Sequence, residues 1–317
     1  MKMDFEKCVA FVRKYALPGE RLALMGAPSK PYRNQKTTIH LTYFSMPDWL
    51  AVISAARWPQ GTGSAEEPIR DVLGAMAMES DISAVLGFLK LLAGEPIERE
   101  PLFRQLVLAY RIAVNQHQKS VADCLKGFTD QGSGRALLAE LGRTGRTITV
   151  MPHWHHFMAL PKEGYRNASE RGIRVGQKLS HITDGITTND SDAYAKGAPI
   201  ESMVGSETGT GKGANSIVYY SAGTFTDPRF IDHRLTDATV GAAGFEADVV
   251  LFHELVHATR TIRGKETHVP VDGRPDFGNI EEYFATVIAN IYLSEKRPDA
   301  PCVVSTHCRR IRPRIGA

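Results

Sequence analysis

The chain has 317 residues, of which 43% are hydrophobic, and a formal net charge of +3 at pH 7. This composition excludes a mainly disordered chain, and so mild a charge gives no electrostatic footprint for binding nucleic acid. The sequence contains no apolar run of about 18 residues for a membrane span and no apolar N-terminal segment for a cleaved secretory signal. Its four cysteines do not indicate a disulfide scaffold. We therefore expect a protein that is either cytoplasmic or secreted without a cleaved signal peptide.

The first part of the chain is predicted to be mostly helical. Apolar periodicity and turn residues predict helices over residues 1–16, 66–92 and 98–128 and a strand over residues 37–43. Glycine and polar residues at positions 130–134 then indicate a domain boundary. We expect residues 1–129 to form a mostly helical N-terminal region and residues 130–317 to form a second domain.

The second domain is expected to combine short strands with two helices. The predicted elements are strands over residues 147–150 and 216–220, a polar glycine-rich loop over residues 161–215, and helices over residues 245–264 and 279–293. A small sheet followed by packed helices indicates an α+β fold.

The most informative segment is residues 245–264, which contains the pattern HExxH as His253, Glu254 and His257. Apolar residues before and within the pattern predict a buried helix. At 3.6 residues per turn, His253 and His257 project from one face of that helix, one turn apart. This spacing lets two imidazoles bind a single Zn²⁺ and leaves Glu254 beside the ion as the candidate general base.

A catalytic zinc site needs a third protein ligand and an open position. The continuation HExxHxxGxxH is excluded, because Arg260 and Arg263 stand where its Gly and third His belong. The helix predicted over residues 279–293 instead offers Glu281 and Glu282. We favour Glu282 as the ligand, with Glu281 as the alternative. Helix capping and the helix dipole are the ordinary explanations for two carboxylates at this position.

Further residues are candidates for orienting the histidines or for stabilising charge in the transition state. They are Glu281, Tyr283, Thr286, Asn290 and Tyr292. The strand ahead of the zinc helix is interpreted as an edge strand beside the cleft, to which an extended substrate adds through main-chain hydrogen bonds. Its residues are Ser216, Ile217, Val218, Tyr219 and Tyr220.

Several of these segments resemble the NleD-like zinc metallopeptidase effectors of bacteria. The resemblance is carried by residues 248–258, by Gly264, by residues 281–287 with Asn290, by the glycine-rich turn and strand at residues 209–220, and by residues 134–141 and 147–150 at the start of the domain. It covers about residues 130–295. More distantly, the same motifs are similar to those of the clostridial neurotoxin and anthrax lethal factor proteases.

This resemblance implies a zincin-like fold and a protein substrate, for which host signalling kinases are a family precedent. It also implies action in the host cytosol after secretion. The N-terminal region would then serve export, binding of a secretion chaperone or substrate selection.

The sequence thus predicts a zinc endopeptidase with one Zn²⁺ per chain and with no nucleic-acid or membrane-spanning function. The alternative hypothesis is a non-catalytic binding module whose helical N-terminal region is the functional element and whose zinc is structural. A fourth protein ligand, for instance His268 or His233, would favour that alternative.

Overall fold

The computed structural model describes residues 3–32, 39–55, 82–152, 185–189, 213, 215–220, 246–267, 269, 271 and 279–298. Residues 66–81 of the second predicted helix and most of the predicted loop over residues 161–215 lie outside this part of the chain. The described residues form helices and one five-stranded sheet, so the architecture mixes α and β structure. None of the helices in these ranges is long and apolar enough to cross a membrane.

The elements follow one another along the chain in an order close to the predicted one. The helices are α1 (Phe5–Tyr15), α2 (Pro18–Met25), α3 (Met46–Ala55), α4 (Ile82–Ala93), α5 (Arg99–Phe128), α6 (Gly132–Leu141), α7 (Ala247–Ile262) and α8 (Ile280–Lys296). The strands are β1 (Ser29–Pro31), β2 (Ile39–Thr42), β3 (Ile148–Met151), β4 (Gly185–Asn189) and β5 (Ser216–Tyr220). The predicted elements corresponding to α1, α5, α7, α8, β2, β3 and β5 are confirmed to within a few residues. Helices α2, α3 and α6 and strands β1 and β4 are additional to the predicted elements.

The sheet has the strand order β1-β2-β3-β5-β4. Its three central strands are parallel, with Ile39 opposite Ile148 and Val150 opposite Val218. Strands β1 and β4 join the two sides of this parallel core in antiparallel orientation. Among the described strands, β1 and β4 are therefore the edges of the sheet.

The interpretation of β5 as an edge strand is wrong. Its main chain pairs with β3 on one side and with β4 on the other. A substrate strand needs unpaired main-chain groups along one side of the strand it joins. The substrate-binding role predicted for Ser216, Ile217, Val218, Tyr219 and Tyr220 is therefore withdrawn.

Two hydrophobic clusters fill the interior, and α5 runs through both. The first contains the side chains of α1 to α4 and the first half of α5, down to Val114. The second begins at Val121 of α5 and contains side chains of the three central strands, α6, α7 and α8. The division between the clusters thus lies inside α5 and not at the boundary predicted after residue 129. Moreover, β1 and β2, which precede that boundary, belong to the same sheet as β3 and β5.

Helices α7 and α8 pack against each other in antiparallel orientation, since the start of each meets the end of the other. At one end of the pair, the hydroxyl of Tyr292 donates to Asp248 over 2.7 Å, and the ammonium of Lys296 binds the same carboxylate at 2.8 Å. The rings of Phe252 and Tyr292 stack with their centroids 4.4 Å apart. These contacts fix how the two helices lie along each other.

Two glycines shape the C-terminal end of α7. Gly264 adopts φ +64° and follows the last helical turn, whose carbonyl at Arg260 accepts from the amide of Lys265 at 2.9 Å. A left-handed residue at this position closes the helix at little steric cost only when it is glycine. Gly213, at φ +65°, lies against the same helix end, and an added Cβ would come within 2.0 Å of the carbonyl oxygen of Ile262. Glycine is required there for both reasons.

Candidate metal centre

The candidate site lies where the second half of α7 packs on the first turn of α8. Every residue of α7 from Val249 to Thr259 is buried, as predicted for a helix that is apolar on all sides. The side chain of Asn279 caps α8 by accepting from the amide of Glu282 at 2.9 Å. This cap sets the first turn of α8 so that the carboxylate of Glu282 faces α7.

Three side chains converge at this point with their ligand atoms close together. The Nε2 atoms of His253 and His257 lie 3.0 Å apart. The two carboxylate oxygens of Glu282 lie 3.4 Å from Nε2 of His253 and 3.5 Å from Nε2 of His257. Two ligands about 2.0–2.1 Å from a tetrahedral ion are separated by about 3.3 Å. The donor atoms, two imidazole nitrogens and one carboxylate, therefore fit a single metal ion in number, type and spacing.

The electrostatic environment of the site favours a cation. Burial lowers the pKa of His253, although Glu282 acts in the opposite direction. At His257 burial also acts to lower the pKa, but the carboxylates of Glu282, Glu281 and Glu254 outweigh it and raise the pKa to about 10. A positive charge between these groups is thus stabilised by the surrounding carboxylates, whether a proton or a metal ion carries it.

Glu281 lies beside Nδ1 of His257, on the side of the ring that faces away from Glu282. Its Oε1 atom is 3.3 Å from Nδ1 of His257, on the opposite side of the ring from the Nε2 atom that faces Glu282. Its Oε2 atom accepts from Nε of Arg260 at 2.7 Å and from the amide of Thr267 at 3.1 Å. A carboxylate in this position holds the imidazole ring and fixes the nitrogen that carries the proton. The geometry thus assigns Glu282 to the group of ligand atoms and Glu281 to the support of His257.

Arg260 and Thr267 are contacts of the site that the sequence does not predict. Arg260 occurs in the last turn of a helix, where a basic residue is expected in any case. The available signal is its position three residues after His257, which places both side chains on one face of α7. Thr267 carries no signal, because its amide donates to Glu281 only through the path of the chain between α7 and α8.

Glu254 follows His253 on α7 and is 2% exposed. Its carboxylate acts to raise the pKa of His253 and of His257. It does not belong to the group of three ligand atoms. A buried carboxylate beside a metal site, yet outside its ligand set, is what the predicted general base requires.

The role predicted for Tyr292 at the site is wrong. This residue is ten positions after Glu282 on α8, which corresponds to about 15 Å along the helix axis. Its side chain is 1% exposed and its hydroxyl donates to Asp248, at the far end of the helix pair. Tyr292 therefore stabilises the packing of α7 on α8 and does not face a substrate.

The other candidates on α8 lie at different distances from the ligand atoms. Thr286 is one turn after Glu282 and 3% exposed, and its hydroxyl has no hydrogen-bond partner among the described residues. Asn290 is half-buried and lies about 12 Å from Glu282 along the axis. Tyr283 is half-buried, with its ring edge-on to Phe284 at 6.1 Å. Of these three, Thr286 is the one on the face that Glu282 presents to α7.

Strand β5 contacts the N-terminal end of α7, the helix that carries the two histidines. The hydroxyl of the fully buried Tyr220 donates to the carbonyl of Ala247, the first residue of α7, at 2.6 Å. The side chain of Tyr219 lies outside the described part of the structure, as do His233 and His268, the residues considered as a fourth ligand. Tyr220 thus anchors the helix that carries the histidines.

Comparisons of this chain with protein-family models, with curated proteins and with solved structures find no match. The functional inference therefore depends on the motifs in the sequence and on the geometry of the site.

Proposed function

We propose that the protein is a zinc-dependent peptidase. The observation that carries this proposal is the convergence of His253, His257 and Glu282 within reach of one ion, with the buried carboxylate of Glu254 beside them. Two imidazoles and one carboxylate are the ligand set of many catalytic zinc sites. A purely structural site has no use for Glu254, and burying a carboxylate without a function is costly.

In the proposed reaction, the metal ion and the side chains of the site have different roles. A zinc ion in such a site acidifies water and polarises the carbonyl that water attacks. His253, His257 and Glu282 would hold the ion, and Glu281 would keep the ring of His257 in place. Glu254 accepts a proton from the attacking water and passes it to the leaving nitrogen of the cleaved amide. The proton that Glu254 takes from the water thus reaches the amine product without a second acid.

Strand β4 is the part of the fold that suits a peptide substrate. It is an edge of the sheet among the described strands, and it contacts α7. An extended chain that adds to β4 forms main-chain hydrogen bonds independent of its side chains. We therefore assign substrate-strand binding to β4 in place of β5.

The resemblance to the NleD-like effectors extends the proposal to the biological setting. In this proposal the fold is zincin-like, and the substrate is a protein of a host cell, with signalling kinases as the first group to examine. The protein is then secreted and acts in the host cytosol. The first hydrophobic cluster, which α1 to α4 build with the first half of α5, then serves export, chaperone binding or substrate selection.

The test is cleavage of a host proteome. Wild-type protein is incubated with lysate of eukaryotic cells, with and without a zinc chelator, and new N-termini are mapped. We expect a small set of new N-termini that chelator abolishes and that added Zn²⁺ restores. Identical N-termini in treated and untreated samples, or none in either, would contradict the proposed activity.

A further inference from the structure

A chain of contacts leads from the surface of α7 to the back of the metal site. The guanidinium of Arg260 binds Oε2 of Glu281 at 2.7 Å, and Oε1 of the same carboxylate lies 3.3 Å from Nδ1 of His257. Glu281 is 2% exposed, whereas the side chain of Arg260 is 21% exposed. A carboxylate so deeply buried needs partners on both oxygens, and Arg260 supplies a charged one.

Arg260 is itself held in place on two further sides. Its Nη2 atom donates to the carbonyl of Lys265 at 2.6 Å, and its guanidinium lies 4.7 Å from the centre of the Phe284 ring. Phe284 comes from α8 and Lys265 from the segment that follows α7. The guanidinium is therefore fixed by two other parts of the chain, α8 and the segment after α7, and its direction toward Glu281 is set before any metal binds.

Among the described residues, none in α8 forms a hydrogen bond with the carboxylate of Glu281. The amide of Thr267 donates to its Oε2 atom at 3.1 Å, and the amide of Glu281 donates to the carbonyl of Thr267 at 3.0 Å. These bonds tie α8 to the segment before it, but only the first reaches the carboxylate, at the same Oε2 atom that Arg260 binds. Arg260 is the contact that combines full charge with a short hydrogen bond, from Nε to Oε2 at 2.7 Å.

We propose that Arg260 is a positioning residue of the metal centre, which raises the affinity of the His253, His257 and Glu282 site for Zn²⁺ by holding Glu281 against Nδ1 of His257. The inference rests on the proposed function to the extent that the site binds zinc. It goes beyond that function because it assigns a role to a residue that touches neither the metal nor a substrate. It also explains why an arginine in the last turn of α7 points inward along the helix pair.

The test is a double-mutant cycle read out as zinc affinity. Arg260→Gln, Glu281→Gln and the double variant are compared with wild type, and the dissociation constant for Zn²⁺ is measured by competition with a chromophoric chelator. Arg263→Gln is the matched control, since Arg263 lies three residues further along and pairs with Glu140 of α6 instead. Unfolding of each metal-free variant in urea is measured in parallel. Should Arg260→Gln not fold, Arg260→Lys replaces it, because it keeps the charge without the planar donor fork.

We expect Glu281→Gln to weaken zinc binding by about 10–100-fold and Arg260→Gln by about 10-fold, at the lower end of that range. The double variant should bind no more than about twofold more weakly than Glu281→Gln alone, because both substitutions remove the same support. Arg263→Gln should leave the dissociation constant unchanged within about twofold.

Two results would overturn the inference. In the first, Arg260→Gln binds zinc with the affinity of wild type and only the stability of the metal-free protein falls. Arg260 would then stabilise the contact between the helix ends without affecting the metal site. Fully additive losses in the double variant would show that Arg260 does not act through Glu281. Wild type that binds no zinc would refute the metal site and the inference together, whereas wild type that binds zinc without cleaving peptides would refute the peptidase proposal alone.

Discussion

Replacing Gly213 by alanine tests how closely residue 213 packs against the end of α7. The new Cβ would lie 2.0 Å from the carbonyl oxygen and 2.5 Å from the carbonyl carbon of Ile262. Both are backbone atoms, so the contact is relieved only by moving the turn or the helix end. Overpacking of this kind costs about 1–3 kcal/mol. The left-handed conformation at φ +65° costs a non-glycine residue about 1–2 kcal/mol more. We therefore expect the free energy of unfolding to fall by about 2–5 kcal/mol.

The assay is equilibrium unfolding in urea of the metal-free protein, so that zinc binding does not mask the change. Gly19→Ala is the control, because a Cβ added at Gly19 in α2 meets no atom within 4 Å. That variant should be neutral or stabilised by up to about 1 kcal/mol, as expected for alanine in a helix. A Gly213→Ala protein that unfolds within about 0.5 kcal/mol of wild type would refute the close packing of residue 213 on α7.

Three further predictions follow from individual side chains. Glu282→Gln should abolish stoichiometric zinc binding in metal analysis, whereas Glu281→Gln should retain about one zinc per chain at saturating metal; the opposite result would exchange their roles. Tyr292→Phe should lower the free energy of unfolding by about 1–3 kcal/mol through loss of its bond to Asp248, with zinc affinity and peptidase rate unchanged; a reduced rate at full zinc loading would return Tyr292 to the site. Burial lowers the pKa of His117 from 6.5 to about 4, so its contribution to stability is complete above pH 6.5 and is lost as the pH falls toward 4. The loss is at most about 3 kcal/mol, and His117→Gln should remove it from the pH dependence of unfolding; equal pH dependence in both proteins would show that His117 is not buried as a neutral ring.

The parts of the site that the sequence predicts are those fixed by local spacing. The histidines of HExxH are four residues apart, so any helix through them brings their rings to one face. Glu282 occurs three residues after Asn279, and the capping bond between them sets the register of α8. Both alternatives for the ligand fit the sequence, and only the position of α8 against α7 separates Glu282 from Glu281.

The features that the sequence does not predict depend on contacts between residues that are distant in the sequence. Strand β4 lies in a polar stretch and itself has a single apolar residue, Ile186, so neither its existence nor its pairing with β5 is visible in the pattern. Because β4 is not recognised in the sequence, β5 is interpreted as an edge strand. The division between the two hydrophobic clusters is likewise not visible in the sequence, because α5 is continuous over 30 residues and passes from one cluster to the other between Val114 and Val121 without a turn residue. Arg260 is missed because its partner, Glu281, belongs to another helix.

The most direct test of the central claim is the substitution of Glu254 by glutamine, measured on the same samples for zinc content and for cleavage of a substrate identified in the host proteome. Glu254 is not among the ligand atoms, so the variant should keep about one zinc per chain and the stability of wild type. Its cleavage rate should fall by at least about 10²–10⁴-fold, because the proton of the attacking water loses its acceptor. Cleavage that continues at the wild-type rate in a zinc-loaded Glu254→Gln protein would contradict the account. The activity would then have to come from the helical N-terminal region, and the zinc would be structural.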